Sequence, residues 1–190
     1  KKLISLFLFC SYYHFTISYT VMKNKLFNII GFQGCWWACV LGVTNEIQHL
    51  GPVLMTVFLI LHFLFFTINK NEIYFILILG FIGLLIDSIF LNCSIVKYEY
   101  PISTSIAPLW ILYMWLGFAT TVNHSMYWLK DRYITMSIFG LIFGPLSYLA
   151  GLKFGALHLD KTLTTIFFIG LSWALVLPII FLINKKYVRP

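Results

Sequence analysis

Six apolar runs follow one another along the chain, at residues 26–44, 50–68, 73–93, 105–129, 133–151 and 163–184. Each is close to the length of about 20 residues that a helix needs to cross the hydrocarbon core of a bilayer. The connections, 45–49, 69–72, 94–104, 130–132 and 152–162, are short, so consecutive helices are expected to be antiparallel neighbours. The expected fold class is all-α: a polytopic transmembrane helical bundle of six spans. Residues 3–20 form a possible extra N-terminal apolar segment.

Composition excludes an ordinary soluble domain. Hydrophobic residues make up 61% of the chain, charged residues 10%, and the mean hydropathy is +0.91. No loop is long enough to fold separately. The run Met22-Lys23-Asn24-Lys25 before a clean apolar helix reads as a typical beginning. Residues 1–21 are therefore expected to be an upstream extension or signal-like segment, and 22–190 a single transmembrane domain.

The net charge of +7 comes from thirteen Lys and Arg that cluster at helix ends. That pattern points to membrane topology and anionic lipid headgroups. Without a basic patch interleaved with aromatics, nucleic acid is not an expected partner. The expected partners are membrane lipids, with a second copy or another membrane protein alongside. Alternate connections divide the basic residues unequally. Lys23, Lys25, Lys70, Lys130, Arg132, Lys185, Lys186 and Arg189 fall on one side, and Lys97, Lys153 and Lys161 on the other. The positive-inside rule then puts both termini of the six-span unit in the cytoplasm. Cys10, Cys35, Cys39 and Cys93 form no CxxC pair and read as free thiols.

Asp87 stands in the second half of the third apolar run, with no basic residue within nine positions. An ionised carboxylate near the bilayer centre costs about 3 kcal/mol on insertion scales, so such a residue faces protein or trapped water. Gly80 and Gly83 share its helix face, so Asp87 is expected to point at a close neighbour. Gly34, Ala38 and Gly42, then Gly140 and Gly144, then Gly151 and Gly155, mark further places where helices can approach closely.

The fourth run is the most polar. On an ideal helix Gly117, Thr120, Thr121, His124 and Trp128 fall within one arc, flanked by Asn123 and Ser125. Such a face should look into the bundle or a wet cavity. Asp87, Thr120, Thr121, Asn123, His124, Ser125 and Trp128 are thus the candidate substrate- or proton-binding residues. The competing reading is interhelical hydrogen bonds that fix packing. Helical rise places Asp87 and His124 at different depths, so direct contact between them is not expected.

Glu46, His49, His158 and Asp160 lie in loops on the predicted outer face and are candidate metal ligands by residue type, although their spacing matches no metal motif. His62, alone in the second run, reads as a hydrogen-bonded packing residue. Gly144-Pro145 and Pro178 interrupt helical runs, as kinks or as the broken helices of transporters. GxSxG, P-loop and GxGxxG patterns are absent, and no cofactor is implied.

The runs WWACVLG, GLLIDS, APLWILYMWLGFATTVNHSMYWL and GPLSYLAGLKFGAL resemble a family of small bacterial inner-membrane proteins classed as a domain of unknown function. The resemblance covers roughly residues 24–184, and the fourth-run stretch is its most specific part. Asp87, Trp110, Asn123, Ser125, Trp128, Gly144 and Pro145 fall on the family's pattern. It implies a fold and a location and carries over no activity, leaning only toward lipid or envelope physiology. Three functional classes follow: a small transporter or lipid-handling protein using a cavity between the third, fourth and fifth spans, a non-catalytic scaffold or accessory subunit, and an intramembrane enzyme acting on lipid.

Overall fold

The structure is a computed structural model that describes residues 22–66 and 69–188, together with the helical path of residues 2–21. The expected extension or signal-like segment at 1–21 falls outside the residues whose side chains are described. The described residues form six α-helices: α1 (Lys2–Thr44), α2 (Leu50–Phe65), α3 (Lys70–Asn92), α4 (Leu109–Val122), α5 (Tyr133–Lys153) and α6 (Leu163–Tyr187). A 3₁₀ turn at Tyr127–Leu129 follows α4. Two short strands, β1 (Lys97–Tyr98) and β2 (Leu157–His158), pair antiparallel with Lys97 opposite His158.

Among the described residues four helical stretches are long and apolar enough to cross a membrane: Met22–Thr44, Lys70–Asn92, Tyr133–Lys153 and Leu163–Tyr187. Their outward faces carry exposed large apolar side chains, including Ile134, Leu163, Phe81 and Leu85. A protein whose solvent is lipid presents such a surface. The chain is an all-α membrane protein.

The two remaining helices are shorter than the sequence suggests. α2 stops at Phe65, where Phe66 turns extended, and Asn69 then caps α3 by accepting from the Glu72 N–H at 2.8 Å. α4 ends at Val122, so residues 123–129 do not continue its face and the expected arc to His124 and Trp128 does not form. Fourteen residues rise only about 21 Å. The short helix is sheltered, packing against α1, α2 and α3, and Ala107, Val122, Asn123 and Ser125 at its two ends are buried. Irregular backbone is tolerated at membrane depth where protein covers it.

α5 packs along α6, α3 along α4, and α1 along α2. Glycines set the closest approaches. A Cβ on Gly140 would lie 2.3 Å from the Trp173 carbonyl oxygen, so α5 and α6 meet backbone to backbone at that level. α5 runs through Pro145 and α6 through Pro178 as continuous helices, so neither proline produces a broken helix. The β1–β2 pair closes one end of the bundle. There Thr44 at the end of α1 donates its hydroxyl to the Phe154 carbonyl at 2.7 Å, and the Trp110 indole donates to the Glu99 carbonyl at 3.2 Å.

Candidate functional site

Asp87 is 1% exposed and sits against three donors drawn from three other segments. The phenols of Tyr98, on β1, and Tyr148, on α5, donate to Oδ1 at 2.5 and 2.6 Å. The indole of Trp115, on α4, donates to Oδ2 at 2.6 Å. Local sequence explains the approach. Gly83, one turn before Asp87, leaves room for the Trp115 ring, since a Cβ there would come within 1.9 Å of it. Gly80 receives Leu116 in the same way. The shared face of Gly80, Gly83 and Asp87 therefore seats α4, as the spacing suggests. In its ionised form a carboxyl accepts only and offers about four lone-pair sites, of which these three donors would occupy most. Tyr98 lies beyond the end of α3, and burial together with the neighbouring Asp87 charge pushes its phenol well above the ordinary value.

Beside this cluster lies a cavity of about 620 Å³, a size typical of small-molecule sites. Its walls are residues of α1 (Phe32, Trp36, Trp37), α4 (Met114, Trp115, Phe118), α5 (Phe139, Phe143, Ala150) and α6 (Trp173, Leu177), with Asp87 among the lining residues. Trp115 and Trp173 stack with ring centroids 4.9 Å apart and planes 5° from parallel. Among the polar groups on the wall, Ser147 donates to the Gly144 carbonyl at 2.7 Å and Tyr148 to Asp87, while the buried Trp173 indole nitrogen has no hydrogen-bond partner. Trp37, Phe143 and Leu146 line the cavity and are also exposed at the surface, so it reaches the outside between α1 and α5. The sequence places the cavity among the third, fourth and fifth spans with Asn123 and His124 in its wall. Asp87 of α3 and residues of α4 and α5 do line it, but α1 and α6 supply walls as well, and neither Asn123 nor His124 lines it.

The polar residues around the end of α4 make separate clamps. The Asn28 amide on α1 donates to the Thr120 hydroxyl at 3.0 Å and accepts from Ser125 at 2.6 Å. Asn184 on α6 donates to the Asn123 side-chain oxygen at 2.8 Å. Thr121 donates back to the Phe118 carbonyl at 2.6 Å. Trp128 is half exposed and packs edge-on to Phe139.

His124 meets Glu72 in the first turn of α3, with Nε2 and Oε1 3.1 Å apart. His62 of α2 stands perpendicular to His124 with ring centroids 4.8 Å apart. His62 is fully buried and neither of its ring nitrogens has a hydrogen-bond partner, so the expected hydrogen-bonded packing residue is not what forms. One ligand atom from each of His62, Glu72 and His124 lies within 4.8 Å of the others.

The loop set expected at the opposite end does not gather. His158 pairs with Glu99 at 3.0 Å, a partner that sequence spacing did not suggest. Glu46, His49 and Asp160 are exposed and join no three-ligand group among the described residues. Tyr98, Trp115 and Tyr148 around Asp87, and Asn28, Asn184 and Glu72 around the end of α4, are the participants that sequence reading missed. In the sequence Asn28 follows Lys25 and Glu72 follows Lys70, where polarity needs no special cause.

No curated protein and no solved structure matches the chain. Residues 25–179 match the family described as Protein of unknown function (DUF2878), a stretch that includes α2 to α5, most of the described α1 and the first two-thirds of α6, and with them Asp87, its three donors and nearly the whole cavity wall. The chain belongs to that family.

Proposed function

We propose that the protein is a lipid-handling membrane protein that takes an acyl-chain molecule into the cavity between α1, α4, α5 and α6 and directs its polar end to Asp87. The observation that carries this reading is the cavity itself, about 620 Å³ of apolar space within the bundle with one buried carboxylate on its wall. Apolar walls favour a chain-bearing ligand over a bare ion, because a dry apolar surface offers an ion no replacement for its hydration shell. The rim at Trp37, Phe143 and Leu146 gives a lateral entrance from the lipid. Asp87 keeps a lone-pair site beyond its three donors, which suits a hydroxyl or ammonium group on the ligand. In this reading all six helices span a bacterial inner membrane, with the ends of the six-helix unit in the cytoplasm. The eight-to-three division of Lys and Arg supports that orientation.

The test is photo-cross-linking in proteoliposomes with a phosphatidylethanolamine that carries a diazirine at the end of one acyl chain. Adducts on Met114 and Phe118 of the central helix, reduced when Ala150→Phe fills the cavity, are the expected result. Labelling confined to outward residues such as Phe81, Leu85 and Ile89 of α3 would sink the proposal.

A second reading, assembly with another copy, rests on Gly34. A Cβ there would meet nothing within 4 Å, and Ile30 and Leu41 beside it on α1 are exposed. At Gly34 a second helix has room to approach the α1 backbone. Gly34→Cys in a Cys93→Ser chain tests it: a disulfide-linked dimer is expected, and a purely monomeric product would oppose it.

A further inference from the structure

The end of the bundle away from the β1–β2 pair holds a group that neither the cavity nor the packing clamps use. His62 ends α2, Glu72 opens α3, and His124 follows the last turn of α4. Three helix ends that are distant in sequence bring two imidazoles and a carboxylate together, with one ligand atom from each within 4.8 Å of the others. We propose that His62, Glu72 and His124 bind a divalent transition-metal ion of the zinc class, leaving a fourth position for water or a substrate atom.

Three observations support a ligand there. First, the donor set is right: imidazole nitrogen and carboxylate oxygen are zinc ligands, and two His with one Glu is a known arrangement for sites that retain an open position. Second, the spacing is close to that of a bound site. Ligand distances of about 2.0–2.1 Å in a tetrahedron put neighbouring ligand atoms about 3.3 Å apart, and His124 Nε2 and Glu72 Oε1 are 3.1 Å apart already. Only the His62 edge has to close. Third, His62 is unexplained without a ligand. A neutral imidazole carries one donor and one acceptor, and here both nitrogens are buried without a hydrogen-bond partner. A hydrogen bond accounts for the His124–Glu72 pair by itself, and it accounts for nothing at His62. Phe66 packs on both rings, with centroids 4.6 Å from His62 and 4.3 Å from His124. That apolar cover limits rotation of the imidazoles and excludes competing water, both of which preorganise a metal site.

The site is independent of the lipid cavity, whose wall includes none of these three residues. Failure of one proposal leaves the other standing.

The test uses the tag-free chain purified in detergent, stripped with a chelator and then dialysed against zinc. We expect one zinc per chain by elemental analysis, a visible absorption band on titration with cobalt(II) that zinc abolishes, and a zinc-dependent rise in melting temperature. His62→Gln and Glu72→Gln should each weaken zinc binding at least tenfold, while His49→Ala and His158→Ala at the other end leave it unchanged. His62→Gln keeps polarity and nearly the size of the ring, which limits loss of fold. The wild-type stoichiometry and cobalt spectrum decide the matter even where a variant does not fold. A wild-type chain that retains no zinc and gives no cobalt band overturns the proposal. So does a folded His62→Gln chain that binds zinc as tightly as wild type.

Discussion

Trp115 donates its indole N–H to Asp87 Oδ2 at 2.6 Å. The same ring lies over Gly83 and stacks on Trp173 across the bundle. One side chain therefore links the buried carboxylate to the wall of the apolar cavity. A substitution that moves Trp115 is expected to disturb both at once.

Gly83→Ala tests that coupling. The added methyl would stand 1.9 Å from the Trp115 ring, and overpacking of this kind costs about 1–3 kcal/mol. We expect a lower melting temperature and a shifted tryptophan emission. Gly34→Ala serves as the contrast, because its Cβ meets nothing within 4 Å. For the monomeric chain a neutral result, or a gain of about 0.4–1 kcal/mol from reduced unfolded-state entropy, is expected in the same melt.

Asp87→Asn replaces one acceptor oxygen with an amide that confronts a phenol or an indole donor. Leaving a buried donor unmatched costs about 1–3 kcal/mol. Tyr98→Phe should cost less, since Tyr148 still supplies Oδ1. The order of the two melting temperatures checks this account of the cluster, and equal melting temperatures for wild type and Asp87→Asn would refute it.

Alkaline pH should act through Tyr98. Its folded phenol titrates well above the ordinary value, which is about 10 in the unfolded chain. Between those two values the unfolded chain has released the proton and the folded chain still holds it. Stability is therefore undiminished below pH about 10 and falls as pH rises beyond it. Tyr98→Phe removes this share, so its melting temperature should decline less steeply than that of wild type between pH 9 and 11.

Asn28 holds Thr120 and Ser125 at once and is fully buried. Polar bonds between membrane helices average about 0.6 kcal/mol each and reach about 1.7. Asn28→Ala loses two of them and is expected to destabilise the chain by about 1–3 kcal/mol on that scale. A calorimetric or fluorimetric melt with no shift would show that the clamp is dispensable.

The apolar runs foretold the helices well where length alone sets them. α3, α5 and α6 follow the expected spans to within a few residues, and the Gly80–Gly83–Asp87 face points inward as the spacing implies. The end of α4 was not legible. An apolar run with helical periodicity continues past Val122, yet Asn123, His124 and Ser125 each find a partner on a different helix, and those bonds favour a turn over another helical turn. The same physics hid Glu72. Next to Asn69 and Lys70 it reads as a loop acid, and only the arrival of His124, 52 residues later, gives its burial a purpose. The cavity was partly legible through Asp87, but its walls come from the pairing of α1 with α4 and α5 with α6, which no local pattern encodes.

Native mass spectrometry of the chain released from detergent tests the lipid-handling account most directly. We expect one retained molecule of acyl-lipid mass per wild-type chain, and its loss from an Ala150→Phe chain that still melts cooperatively. A wild-type chain that emerges bare, or adducts that are identical in the filled-cavity variant, would contradict the account.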